Sequence, residues 1–264
     1  MSDVPLFWAS LFAYLGATVL FALGIAASRK WVGRAALVVL LAGFSVHTLA
    51  LVVRSVLIGH PPFTSMYEYA SCLSWATVLF YFILQLREKA RNLGAFVAPL
   101  AFAVIVVASL FPKDMERQLV PALQSYWLQI HVTLAVVAEG AFAVAFGSSV
   151  MYLLKARGTR WLPPLESLDD LTYKAILLGY PLFTLGALFA GAVWAWKAWG
   201  RPWGWDPKEV GSLVVWLIYS AYLHARITAG WRGKRAAVLA ILGFAAAVFT
   251  FLSNLFIGGL HAYV

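Results

Sequence analysis

Apolar residues along this chain come in blocks of about twenty separated by short polar stretches, the length a helix needs to cross a bilayer. Eight such blocks lie at roughly 6–27, 35–58, 67–86, 94–110, 127–154, 172–193, 210–228 and 236–257. A spanning segment must satisfy its own backbone in lipid, which a helix does and an open strand does not. The pattern therefore predicts an all-α fold: a polytopic transmembrane helical bundle of about eight spans, one integral membrane domain over residues 1–264. A Trp-rich external loop is expected between spans six and seven, and Pro99 and Pro181 are expected to kink their helices. The first block begins almost at the N-terminus with no basic stretch ahead of it, so no cleaved signal peptide is expected.

Composition agrees, with 62% hydrophobic and 12% charged residues. A net charge of +9 would suggest nucleic acid in a soluble chain, but here the basic residues collect in short loops between blocks. Fourteen Lys and Arg fall on one side, among them Arg29, Lys30, Arg34, Lys155, Arg232 and Arg235, against six on the other. The positive-inside rule then places the termini and the Trp-rich segment on the extracytoplasmic side of a plasma (inner) membrane. Cys72 is the single cysteine, so the chain has neither a disulfide framework nor a CxxCH haem-attachment site of its own. No phosphate-binding Gly loop, HExxH or supported Ser-His-Asp order is present.

The segment 194–209, WAWKAWGRPWGWDPKE, carries Trp194, Trp196, Trp199, Trp203 and Trp205 between two apolar blocks. Two readings stand. Indoles collect at membrane interfaces, with an apolar ring inward and the N–H in the wet layer. A belt needs only one or two per helix end, however, and five on one Pro- and Gly-shaped segment suit a shelf for a planar aromatic ligand. Lys197, Arg201 and Lys208 are placed to meet acidic groups on its edge. Haem, a flat macrocycle with two propionates and an iron that histidine commonly ligates, fits that description.

Topology sorts the five histidines. His131, near the outer start of span five, and His261, after the Gly258–Gly259 stop, fall on the Trp side. His60 sits there too, in the turn GHPPF, where shaping the turn is the simpler role. His47 lies mid-span, and His224 lies about 20 Å below the Trp segment at 1.5 Å per residue. An ionisable group inside a span is costly and marks function unless it bonds a neighbouring helix. Histidines at helix ends can equally be interfacial polar residues. If two of them share one iron beside the Trp shelf, His131 and His261 are the pair. Arg54 is close enough to the outer end of span two to snorkel. Glu139 either faces the cavity of His131 or is a protonated acid between helices.

WGRPWGWDPKE (199–209) followed by WLIYSAYLHAR (216–226) resembles the Trp-rich "WWD" signature of the cytochrome c assembly family. The likeness is to the CcsA/ResC branch of system II haem attachment more than to CcmC or CcmF. GHPPFTSMYEYASCLSW (59–75), SYWLQIH (125–131) and NLFIGGLHAYV (254–264) agree with it. The resemblance implies that His131 and His261 bind haem iron from its two faces and that His224 holds haem within the membrane. His47, or a residue of a partner, would be the second intramembrane ligand. It further implies haem b as transient substrate and a haem-binding segment 194–209 including Asp206; the residues themselves offer no catalytic acid or base on the outer side. A CcsB/ResB-like membrane subunit and an apocytochrome c with CxxCH would be the partners, and the chain would export or present haem for covalent attachment. A membrane b-type cytochrome linked to quinone, or a transporter of another aromatic amphiphile, remains the alternative.

Overall fold

The computed structural model describes residues 2–88, 91–114, 119–253 and 256–259. Every regular element among them is helical, and the chain forms two compact units divided at residues 118 and 119.

The first unit holds α1 (Val4–Ala26), α2 (Lys30–Ile58), α3 (Met66–Glu88) and α4 (Gly94–Ser109). α1 and α2 pack as an antiparallel hairpin, and small residues set their spacing: a methyl at Gly43 would run into Ala13 and Tyr14. α2 ends at Gly59, whose φ of 82° is the left-handed turn that glycine adopts without cost. α4 has 16 residues, about 24 Å at 1.5 Å per residue and short of a hydrocarbon core of about 30 Å.

Arg54 does not snorkel; it is 1% exposed. Its Nε donates to Glu68 Oε1 at 2.7 Å, and its Nη atoms donate to Asp3 Oδ2 and to the carbonyls of Lys113 and Asp114. Helical spacing places Arg54 near the end of its span but says nothing of Asp3 and Glu68, which arrive from other helices and neutralise it.

The second unit holds α5 (Tyr126–Ala156), α6 (Leu165–Phe183), a π-helical segment (Thr184–Ala190), α7 (Gly191–Trp199), α8 (Pro207–Thr228) and α9 (Lys234–Leu252). α6, the π segment and α7 form one apolar run of 35 residues. The expected sixth block, 172–193, is thus extended at both ends. α5 packs against this run and against α9. α8 joins through a stack of Tyr219 on Phe142, centroids 3.9 Å apart, and through Gly211, where a methyl would collide with Thr250. At the other end of α8, Arg226 pairs with Asp169 at 2.6 Å, and Asp169 also accepts from the Gly233 amide. Among the described residues, seven helices are long and apolar enough to cross a membrane, with α4 as the shorter eighth.

Candidate functional site

The site is built in the second unit, where α5 meets the π segment and α7. His131, in the second turn of α5, places Nδ1 2.9 Å from the carbonyl oxygen of Gly186. A carbonyl carries no proton, so Nδ1–H is the donor, and in the neutral ring the lone pair then belongs to Nε2. The ring lies parallel to the indole of Trp194, with centroids 5.8 Å apart and planes 13° apart. It also fills the space that a side chain at Gly191 would need: a methyl there would come 3.0 Å from Nδ1.

Trp194 is buried, and its Nε1–H donates to the carbonyl of Ala122 at 2.8 Å, in the short 3-10 turn Pro121–Leu123 that precedes α5. Trp199 meets it edge-on at 4.8 Å and 63°. α7 then stops at Gly200, with φ of 72°. Trp203 and Trp205 in the following loop are perpendicular, at 5.9 Å and 89°. The five indoles therefore do not make one flat shelf. Trp194 is a buried support, Trp199 and Trp203 are half-buried, and Trp196 and Trp205 present their faces, 61% and 71% exposed. Three of the five belong to the helix rather than to the loop, because the apolar stripe of the sixth run continues through Trp194 and Ala195 before Gly200 breaks it.

The polar residues of the segment divide in the same way. Arg201 and Lys197 are exposed, and Arg201 lies across Gly204, where a methyl would sit 3.1 Å from its Nε. Asp206 is buried as the N-cap of α8: its carboxylate accepts from the Lys208 amide at 3.0 Å. Glu209 completes a capping box and accepts from the amides of Gly204 and Asp206 at 2.7 and 3.2 Å. The D-P-K-E run is therefore a helix start, with Pro207 in the first turn where its missing N–H costs nothing. Lys208 interacts electrostatically with Asp206 and with the buried Glu139 of α5, so its charge is already engaged within the protein. Glu139 is buried on α5 and interacts electrostatically with Lys208 and Tyr219 of α8.

The remaining histidines separate. His224 is exposed on α8, and its ring makes no hydrogen bond among the described residues. His47 is fully buried in the first unit, with Nδ1 3.1 Å from the Tyr14 hydroxyl and Nε2 2.9 Å from Ser71 Oγ. Both its nitrogens are occupied, so in this arrangement neither is left for a metal. His60 bonds the Pro61 carbonyl and shapes its turn. His261 lies outside the described residues. Gly259, two residues earlier, is described, and it packs so closely on the cap of α8 that a methyl there would collide with the Asp206 carboxylate.

Residues 64–261 match the family described as cytochrome C assembly protein. The chain belongs to that family. Within it, the chain is 35% identical over 244 residues to the cytochrome c biogenesis protein CcsA of Guillardia theta, covering 82% of this chain and 81% of that one. It is 38% identical over 229 residues to CcsA of Chlamydomonas reinhardtii, covering 81% of this chain and 64% of the relative. The structure is similar to that of a cytochrome c heme lyase, CcmF, with a TM-score of 0.74 over 96% of this chain and 47% of the other. At 19% identity that likeness speaks for the fold alone, and this chain spans about half of the larger protein. The family match contains His131, the Trp segment and His224 and begins after His47. A multi-pass membrane protein of cytochrome c biogenesis, of the CcsA type, is thus the frame in which the site is to be read.

Sequence alone does not mark Gly186, Gly191 or the Ala122 carbonyl. Backbone acceptors leave no residue-type signal, and the only trace in the sequence is a pair of glycines five residues apart.

Proposed function

We propose that this chain is the haem-handling subunit of a cytochrome c synthetase. In this reading it presents haem at the extracytoplasmic face and, with a CcsB/ResB-like membrane subunit, directs its attachment to the CxxCH of an apocytochrome c. The observation that carries the reading is His131: a half-buried imidazole whose Nδ1–H is committed to Gly186 and whose ring is backed by Trp194. A neutral imidazole with its lone pair on Nε2 is the donor that haem iron takes.

The other residues fit a porphyrin in kind. Trp196 and Trp205 offer exposed apolar faces, and Lys197 and Arg201 offer exposed cations for propionates. Lys208 and Asp206, engaged by Glu139 and by the α8 cap, take supporting roles. His261 is the second external ligand in this proposal. Gly259, the last described residue before it, packs on the cap of α8. His224, an exposed imidazole on a spanning helix, is costly against lipid and is assigned to haem on its way outward. His47 has no ligand role here. The positive-inside count supports the orientation, with the Trp segment and both termini outside the cytoplasm.

The attachment itself adds each substrate thiol across a vinyl group, S to one carbon and H to the other, with no leaving group. The protein's contribution is positioning and exclusion of water rather than acid or base chemistry. The test is to purify the chain with and without its partner subunit and record the haem spectrum and transfer to apocytochrome c for wild type, His131→Ala and His261→Ala. Loss of the spectrum and of transfer in both variants is expected. A wild type that never carries haem would favour a transporter of another amphiphile. Haem retained by both variants, with no transfer, would favour a resident electron carrier.

A further inference from the structure

The seam between α5 and the α6–π–α7 run is made by three glycines. A methyl at Gly179 would meet Ala141, Phe142 and the Ala138 carbonyl; one at Gly186 would meet Leu134 and the Ala135 amide; one at Gly191 would meet the His131 ring. From Gly179 to Gly186 the step is seven residues, two α-helical turns, so both glycines face α5. From Gly186 to Gly191 it is five. In a continuous α-helix a residue five places on lies about 140° away round the axis. In a π register, where hydrogen bonds skip five residues, it returns near the same face. The structure has its π segment there, over Thr184–Ala190.

We propose that this π segment is the positioning element of His131: the Gly186 carbonyl holds the Nδ1 proton, and Gly191 supplies the room in which the ring lies flat on Trp194. The proposal rests on the haem-ligand reading of His131 for its functional meaning, while the geometry it invokes is independent of haem. Two consequences follow for the imidazole. Its rotation is locked between the indole of Trp194 and the backbone of Gly191, and its proton is assigned to Nδ1. A ring so held meets an iron with Nε2 already turned to the lone-pair form, and the carbonyl behind it strengthens Nε2 as a donor. Gly186 and Gly191 are accordingly positioning residues and touch no substrate.

The experiment uses the full chain in detergent micelles, labelled with 15N-histidine, first without haem and then on addition of haem. Wild type is expected to show His131, assigned by its loss in His131→Ala, protonated on Nδ1 and bare on Nε2. Gly191→Ala is expected to lose that signature, because its methyl would come 3.0 Å from Nδ1 and 3.1 Å from Cε1 and press the ring away from the Gly186 carbonyl. Gly179→Ala crowds the same seam away from His131 and is expected to lower thermal stability yet keep the signature. On addition of haem, Gly191→Ala should give the His131→Ala spectrum, and free imidazole should restore the wild-type spectrum in both. A misfolded protein would not be rescued in that way. A wild-type His131 protonated on Nε2, or a Gly191→Ala protein that keeps the Nδ1–H signature, overturns the proposal whatever the folding of the variants. If instead the apo signatures behave as expected while His131→Ala leaves the haem spectrum intact, the positioning stands and the haem-ligand reading fails.

Discussion

The imidazole of His131 and the indole of Trp194 lie face to face, 5.8 Å between centroids and 13° between planes, and the indole is in turn fixed by its Nε1–H to the Ala122 carbonyl at 2.8 Å. One hydrogen bond thus aligns the start of α5 with α7 and carries the orientation of the histidine. Trp194→Phe keeps an aromatic face but leaves the carbonyl without this donor. The expected loss is about 1–3 kcal/mol of stability, the cost of an unsatisfied buried polar group. Trp194→Ala should lose about 3–5 kcal/mol, as truncation of a buried large side chain does. Thermal and denaturant unfolding in micelles checks both. Equal stability of wild type and Trp194→Phe would show that the Ala122 bond is not formed.

Asp206 and Glu209 make a second prediction, because a capping role and a ligand role respond differently to substitution. Asp206→Asn retains an acceptor for the Lys208 amide and should leave both stability and haem spectrum near wild type. Asp206→Ala removes the cap and should cost about 1 kcal/mol. Gly259→Ala should mimic that loss by pushing against the same carboxylate. A haem spectrum that changes in Asp206→Asn at unaltered stability would return Asp206 to the ligand set.

The helices were legible because each is an apolar block, all but α4 of bilayer length, and the eight expected blocks coincide with helices to within about five residues, apart from the lengthened sixth run. The sixth run outlasts its expected end at 193 for a physical reason: Trp194 has the spacing and burial of a helical core residue, and the helix stops only where Gly200 permits a left-handed turn. The capping box was written plainly as Asp206-Pro207-Lys208-Glu209 and could have been taken from the sequence. Two features were not legible. The π segment changes hydrogen-bond register without changing residue type, and the depth of Arg54 depends on Asp3 and Glu68, which only the tertiary fold brings to it.

That buried triad supports a third prediction. Arg54 is inaccessible, so removing it leaves the buried carboxylates of Asp3 and Glu68 without their counter-charge, and Arg54→Met should destabilise the protein by about 3–5 kcal/mol. Removing the charges together, as Arg54→Met with Glu68→Gln and Asp3→Asn, should recover much of that loss, since neutral polar groups are cheaper to bury than lone ions. Unfolding of the single and triple variants in micelles is the measurement. A triple variant no more stable than Arg54→Met would mean that the network holds the first unit by shape rather than by charge balance.

Trp205 is held at φ 57°, a left-handed backbone that bulky residues enter at a cost of about 1–2 kcal/mol, and its ring is nevertheless 71% exposed. Neither packing nor backbone preference accounts for a tryptophan there, whereas glycine would adopt the same turn without strain. Trp205→Gly is therefore expected to leave the unfolding temperature unchanged or slightly raised, while lowering haem retention and transfer to apocytochrome c. Trp203→Gly, which removes a half-buried ring from an unstrained position, should lower stability instead. Paired unfolding and haem-binding titrations on the two variants separate the cases. If Trp205→Gly binds haem as wild type does, the exposed indole has no part in holding the porphyrin, and Trp196 remains as the exposed aromatic face of the segment.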